Sequence, residues 1–112
     1  MKKLEIIIRH SHFNAVKDAL LGIGIHGLSV SDIKGFGRQK GHKETYRGAE
    51  LLVEFVPKIK MEVVLEAELL ESAVEAISAA ARTGEVGDGK IFILPVENAV
   101  RIRTGETGRQ AA

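Results

Sequence analysis

The chain has 112 residues, and residues 1–112 are expected to form a single domain. Its 16 Lys and Arg residues nearly balance its 15 Asp and Glu residues, and this net charge of +1 excludes partners recruited by overall charge, such as nucleic acid. The absence of cysteine excludes a disulfide framework and a thiolate metal site. The apolar run at residues 4–8 is too short for a signal peptide or a membrane span, so a soluble cytoplasmic protein is expected.

The first third of the chain has the pattern of a strand, a helix and a second strand. Residues 4–8 largely alternate apolar and charged side chains, which predicts a half-buried strand. From Ser11, the expected helix cap, apolar residues recur at helical spacing, and the glycines within residues 22–24 are expected to end the helix. A second strand is predicted at residues 28–33.

A glycine-rich and basic segment without apolar periodicity follows at residues 34–50. It predicts a long exposed loop or hairpin tip, whose regulatory part is expected at about residues 37–55. Loops of this length in compact domains are usually functional, so this segment is a candidate site.

The second half repeats the pattern of the first. Strand segments are predicted at residues 51–56 and 60–65, separated by Pro57, and a helix over residues 70–81 is followed by a strand at residues 91–96.

The C-terminal region carries two arginines one residue apart. Arg101 and Arg103 are predicted to lie on a short extended segment and to project to the same side. Residues 105–112 have no pattern and are expected to be mobile.

An internal duplication indicates the fold. Residues 3–8 resemble residues 60–65 in their apolar and charged pattern, and each segment precedes a predicted helix. Two strand-helix-strand units with right-handed crossovers predict an α+β, ferredoxin-like split βαβ fold in the order βαββαβ. One face of its sheet would carry both helices. The other would expose apolar residues such as Ile7 and Val64, so a closed homo-oligomer is predicted.

Two glycine motifs resemble nucleotide-binding signatures, but each stands in the wrong place relative to the predicted strands and helices. Residues 22–27 spell G-x-G-x-x-G and residues 84–90 spell G-x-x-x-x-G-K, yet each follows a helix, and Ile91 replaces the Ser or Thr that a Walker motif needs. Neither a dinucleotide fold nor a P-loop enzyme is therefore predicted. Glycines beside Lys90 could still present backbone N–H groups to an anion, and an ordinary turn is the alternative.

Two other binding classes have weaker support. Residues 34–37 copy the start of an RNA-recognition signature, but the stacking aromatics that would follow are missing. Four histidines invite a metal-binding interpretation, but no third ligand has suitable spacing, and no catalytic set is evident. These histidines are His10, His12, His26 and His42.

Four segments together resemble the PII nitrogen-regulatory signal proteins: residues 34–42, 46–50, 83–92 and 101–106. The resemblance spans nearly the whole chain. It implies a non-enzymatic homotrimer of ferredoxin-like subunits, with ATP or ADP bound in the clefts between them.

The resemblance also implies ligand contacts. The nucleotide-binding residues would be Ile7, Ser29, Gly35, Gly37, Arg38, Glu62, Val64, Gly87, Asp88, Gly89, Lys90, Arg101 and Arg103. Gln39 would complete a Mg²⁺ site with the ATP phosphates and 2-oxoglutarate, Lys58 would meet the far carboxylate of that ligand, and Lys40 and Gly41 would lie beside it. These are sensible partners for phosphate, a hard cation and a carboxylate.

The implied mechanism is a ligand-driven switch of the exposed loop that controls a target of nitrogen metabolism, such as an ammonium transporter. Arg47 and Tyr46 are the expected target contacts. Leu51 and Ala49 occupy positions that relatives modify covalently, so no such modification is expected. These departures, with the unusual residues 9–13, favour as an alternative a specialised paralogue that senses adenylates or a metal and regulates another transporter or enzyme without responding to 2-oxoglutarate.

Overall fold

The computed structural model describes residues 1–36, 43–46, 49–52 and 55–112. These residues form two α-helices and six strands: β1 Lys2–Ile8, α1 Phe13–Gly22, β2 Ser29–Phe36, β3 Lys43–Tyr46, β4 Ala49–Leu52, β5 Phe55–Leu65, α2 Leu70–Ala81 and β6 Lys90–Pro95. Single 3-10 turns span His10–His12, Ala67–Leu69 and Gly108–Ala111.

The main sheet has four strands in the order β2-β5-β1-β6, and every neighbouring pair is antiparallel. Because β1 and β2 both run antiparallel to β5, they are parallel to each other with β5 between them. In the same way β1 separates β5 from β6. Each strand-helix-strand unit is thus split by the first strand of the other, which confirms the predicted ferredoxin-like fold.

The hydrophobic core lies between one face of this sheet and the two helices. Leu4, Ile6 and Ile8 on β1 pair with Val63, Met61 and Ile59 on β5, and all six are at most 8% exposed. The helices supply the other side of the core with Val16, Leu20, Ala73, Ile77 and Ala81. Burial of alternate residues reproduces the strand periodicity of the sequence.

The opposite face, called here the open face, carries charge along its central strands. Lys3 Nζ lies 2.6 Å from a Glu62 carboxylate oxygen and 3.5 Å from one of Glu5, and Lys60 lies within 3.9 Å of both acids. By strand register, Phe92 belongs to the same face and is 46% exposed.

Pro57 does not interrupt a strand, contrary to the prediction, since β5 runs without a break from Phe55 to Leu65. The ladder between β1 and β5 ends at Ile8 and Ile59, so at Pro57 only β2 is paired with β5. A proline that lacks an N–H group is tolerated where one side of a strand is unpaired.

The long connection is more regular than a loop. Strand β2 extends to Phe36, where it pairs with Phe55 at the start of β5. Between them β3 and β4 form an antiparallel hairpin. Residues 37–42, 47–48 and 53–54 lie outside the described residues.

The start of α1 also differs from the prediction. Ser11 lies inside the 3-10 turn His10–His12, and neither this turn nor α1 has a side-chain cap hydrogen bond. Gly22 is the last residue of α1, and Gly24, with φ +90°, follows it. Within the described ranges, no helix has the length and apolar run needed to cross a bilayer.

Candidate functional site

The glycine loop, residues 83–89, joins α2 to β6 and is organised around Asp88. The Asp88 carboxylate accepts hydrogen bonds from the backbone N–H groups of Thr83 at 2.7 Å and Gly84 at 2.9 Å, and from the Thr83 hydroxyl. Arg9 Nη1 lies 2.7 Å from the same carboxylate. The hydrogen bonds from Thr83, with those from Gly84 and Arg9, hold the pKa of Asp88 well below its usual range.

Two cations, Arg9 directly after β1 and Lys58 on β5, hold the backbone of this loop. Arg9 Nη2 donates to the Val86 carbonyl at 2.8 Å, so its guanidinium bridges Val86 and Asp88. Lys58 Nζ donates to the Gly87 carbonyl, also at 2.8 Å. Lys58 is 8% exposed, and burial, followed by the nearby Arg9 charge, lowers its pKa. These roles of Arg9 and Thr83 were not predicted from the sequence, although a Thr and an Asp at the two ends of a glycine-rich turn are a recognisable local signal.

The glycines of the loop are required by its conformation. Gly87 and Gly89 have φ values of +101° and +115°, which side-chain-bearing residues rarely adopt. A Cβ atom on Gly89 would lie 1.9 Å from the Ile7 carbonyl oxygen. Among the hydrogen bonds of the described residues, none has the N–H of Gly87 or Gly89 as donor. These two groups are therefore available to an anion.

The loop group comprises Ile7, Gly35, Lys58 and residues 87–90, at one end of the sheet. Ile7 pairs with Lys90 on one side and with Lys60 on the other. A Cβ atom on Gly35 would lie 3.6 Å from Lys58 Cγ. The structure thus brings these predicted site residues together.

The turn group comprises Ser29, Glu62, Val64, Arg101 and Arg103. Ser29 pairs with Glu62, and Val64 lies two residues further along β5. The chain after β6 starts beside Met1, where the Val96 N–H donates to the Met1 carbonyl at 3.1 Å. The turn that carries the two arginines therefore lies beyond the opposite end of the sheet from the glycine loop.

The two groups do not form one site within a single chain. Lys90 pairs with Ile7 and Pro95 pairs with Lys2, and this stretch of strand spans about 17 Å. Arg101 and Arg103 were predicted to lie on an extended segment, and this prediction is wrong. They lie in a turn closed by a hydrogen bond from the Arg101 N–H to the Glu106 carbonyl at 2.8 Å. The prediction failed because that turn is set by contacts with residues 104–110, which lie outside the short alternation in the sequence.

Several predicted site residues lie outside the described residues, namely Gly37, Arg38, Gln39, Lys40, Gly41 and Arg47. The expected target contact Tyr46 pairs with Ala49 where the β3–β4 hairpin turns, and Leu51 pairs with Glu44. Ala49 and Leu51, the two positions at which no modification is expected, therefore both have their backbone in β4.

The histidines are not brought together. His10 Nε2 lies 3.4 Å from an Asp32 carboxylate oxygen, and His12 Nδ1 is buried without a hydrogen-bond partner in the described part of the chain. In that same part, no group of three or more His, Asp or Glu side chains is arranged to hold a metal ion. His42 lies outside it.

Comparisons with known proteins agree with this architecture. The family model described as "Nitrogen regulatory protein P-II" matches residues 1–106. Proteins of that name from Cereibacter sphaeroides and Azospirillum brasilense are each 60% identical to the chain over 111 residues, which is 99% of this chain and 99% of the relative. A crystal structure of Arabidopsis thaliana PII bound to citrate is 45% identical, with a TM-score of 0.80, and the match covers 99% of this chain and 91% of that one. The chain therefore belongs to the nitrogen regulatory protein P-II family.

Proposed function

We propose that this chain is a non-enzymatic signal protein that binds ATP or ADP in clefts between the subunits of a homotrimer. The observation that carries the proposal is the separation of the loop group from the turn group. Both groups have chemistry suited to a nucleotide, but they lie at opposite ends of one sheet. A cleft in which the loop group of one subunit meets the turn group of the next would reunite them.

The loop group suits the phosphates. Gly87 and Gly89 leave N–H groups available, and Lys90 adds a positive charge at the start of β6. Asp88 would not repel the ligand strongly, because its carboxylate is already engaged by Arg9 and the 83–84 backbone. The Arabidopsis relative was crystallised with citrate, a multiply charged anion.

The second proposed ligand is 2-oxoglutarate, bound with Mg²⁺ and ATP by Gln39, Lys40, Gly41 and Lys58. Gln39 would contribute a side-chain oxygen to the cation. Lys58 is buried, and its ammonium donates to the neutral carbonyl of Gly87. A ligand carboxylate would be a stronger partner for this ammonium than a carbonyl.

The output is proposed to pass through residues 37–55, which include the β3–β4 hairpin. ATP with 2-oxoglutarate would favour one arrangement of this segment and ADP another, and the target would bind only one of them. An ammonium transporter is the proposed target, with Arg47 and Tyr46 as its contacts. Regulation would proceed without covalent modification at Ala49 or Leu51.

Calorimetric titration of the purified protein tests the proposal. ATP and ADP are titrated in the presence of Mg²⁺, with and without 2-oxoglutarate, into the wild type, Lys90→Ala and a control, Lys17→Ala, which removes a positive charge from α1. Wild type and Lys17→Ala are expected to bind both nucleotides, and Lys90→Ala about 10-fold or more weakly, the loss typical of one charge-assisted hydrogen bond.

The response to 2-oxoglutarate separates the proposal from its alternative. Tighter ATP binding with 2-oxoglutarate, and no such change for ADP, is the expected result. Nucleotide affinities that are the same with and without 2-oxoglutarate would instead support the specialised adenylate sensor. Absence of nucleotide binding by the wild type would overturn both.

A further inference from the structure

The C-terminal residues fold into a closed turn instead of an open tail. The Gly105 N–H donates to the Arg101 carbonyl at 2.7 Å, Val100 and Thr107 form an isolated β-bridge, and the Gly108 N–H donates to the Ala99 carbonyl at 3.0 Å. A 3-10 turn over Gly108–Ala111 completes the chain. These contacts give the segment a defined conformation, and the expected mobility of residues 105–112 stays a prediction.

Arg101 is engaged by this turn through both arms of its guanidinium. Nη1 lies 3.1 Å from Glu106 Oε1, and Nη2 donates to the Gln110 carbonyl at 2.9 Å. A guanidinium holds a phosphate best with two parallel N–H groups presented together. In this arrangement the pair of donors on Arg101 serves residues of its own tail.

Arg109 fastens the tail to the body of the protein. Its Nη2 lies 2.7 Å from Glu66 Oε2 and 3.2 Å from Glu68 Oε2. Glu66 immediately precedes the 3-10 turn Ala67–Leu69, and Glu68 lies within it. The hydrogen bond to Glu66 and the charges of both acids raise the pKa of Arg109. Since Gln110 is its neighbour in the chain, the contact with Arg109 also fixes the carbonyl that occupies Arg101.

We propose that residues 107–112 form an autoinhibitory latch that competes with the nucleotide phosphates for Arg101. The inference rests on the proposed nucleotide site. Binding of a phosphate to Arg101 would displace the Gln110 carbonyl and free the tail from Glu66 and Glu68.

Arg109→Ala gives a test whose expected direction is opposite to that of a simple charge effect. Removing a positive charge near an anion site weakens binding, whereas removing the latch strengthens it. An exposed ion pair is worth little, so ATP should bind Arg109→Ala about two- to five-fold more tightly than wild type. Lys17→Ala, which also removes one positive charge, should bind ATP as the wild type does.

Hydrogen exchange provides an independent measurement of the latch. In the wild type, saturating ATP should accelerate exchange of the Gly108 amide, which the closed turn protects through the Ala99 carbonyl and Asn98 Oδ1. In Arg109→Ala this exchange should already be fast without nucleotide.

The outcomes separate this inference from the function on which it rests. Equal or weaker ATP binding by Arg109→Ala, or unchanged or slower exchange at Gly108 with ATP, overturns the latch and leaves the nucleotide site standing. If neither wild type nor Arg109→Ala binds ATP, the nucleotide site fails, and the latch fails with it.

Discussion

Asp88 illustrates how a single carboxylate can organise the backbone of a loop. Its oxygens accept hydrogen bonds from Thr83, Gly84 and Arg9, so donors of the same chain compensate its negative charge. The sequence identified Asp88 only as one position of a matching motif. It could not identify Arg9 as the partner, because the two residues are 79 positions apart and meet only when β1 and β6 pair.

The low pKa of Asp88 predicts a pH dependence of stability. Its pKa is depressed in the folded state relative to an unfolded value near 4. The stabilisation is therefore fully present above that value, and it is lost as the pH falls through the folded pKa. Thermal unfolding between pH 2 and pH 7 should show a shallower acid loss for Asp88→Asn than for wild type, while Asp18→Asn, at an exposed position on α1, should follow the wild-type curve.

Substitution of Gly89 and of Gly22 by alanine should have very different effects on stability. A Cβ atom there would meet the Ile7 carbonyl at 1.9 Å, and its φ is +115°. Gly89→Ala should therefore lower the free energy of unfolding by ~2–4 kcal/mol. Gly22 ends α1 with nothing within 4 Å of its Cβ position, so Gly22→Ala should leave stability unchanged or raise it by up to ~1 kcal/mol. Urea titration compares them, and equal losses would contradict this view of the loop.

At the scale of elements, periodicity identified both helices and the four strands of the main sheet, because each buries one face. α2 was predicted over residues 70–81, and the structure has it at Leu70–Ala81. The sequence pattern gave wrong predictions where contacts with distant residues determine the backbone conformation. Pro57 stays in β5 because its neighbour β1 has already ended, and residues 101–103 turn because Glu106 and Gln110 hold Arg101. Neither partner is visible in a short window of sequence.

The packing of α2 on the sheet predicts the cost of truncating its central residue. Ile77 is 1% exposed, whereas Ile102 in the C-terminal turn is 98% exposed. Ile77→Ala should reduce the free energy of unfolding by ~2–5 kcal/mol, since it leaves a cavity in the core. Ile102→Ala makes the same chemical change and should alter it by no more than ~0.5 kcal/mol. Urea denaturation followed by circular dichroism measures both, and a small effect at Ile77 would place α2 outside the cooperative core.

At the scale of the whole molecule, the open face and the divided site are best understood together. The face opposite the helices combines the Lys3–Glu62 ion pair with a half-exposed Phe92, and the site residues are divided between the two ends of the same sheet. The sequence predicted an oligomer only from apolar residues expected on this face, Ile7 and Val64. The second feature comes only from the strand register, which shows how far Lys90 lies from the turn that carries Arg103.

Mixed trimers would show whether each site is shared between subunits. In the proposed homotrimer, Lys90→Ala would disable the loop group and Arg103→Ala would disable the turn group. Two differently tagged copies carrying these substitutions can be co-expressed and purified through both tags, which retains only mixed trimers. Around a closed ring, every such trimer contains a single cleft with an intact Lys90 facing an intact Arg103.

Native mass spectrometry with ATP should then detect about one bound nucleotide per mixed trimer, and none on the trimer of either variant alone at the same concentration. A site contained in one chain would give none in the mixture, because every chain carries one of the two lesions. Recovery of one nucleotide therefore requires that Lys90 of one subunit and Arg103 of another act on the same ligand, which the separation of the two groups along the sheet leads us to expect.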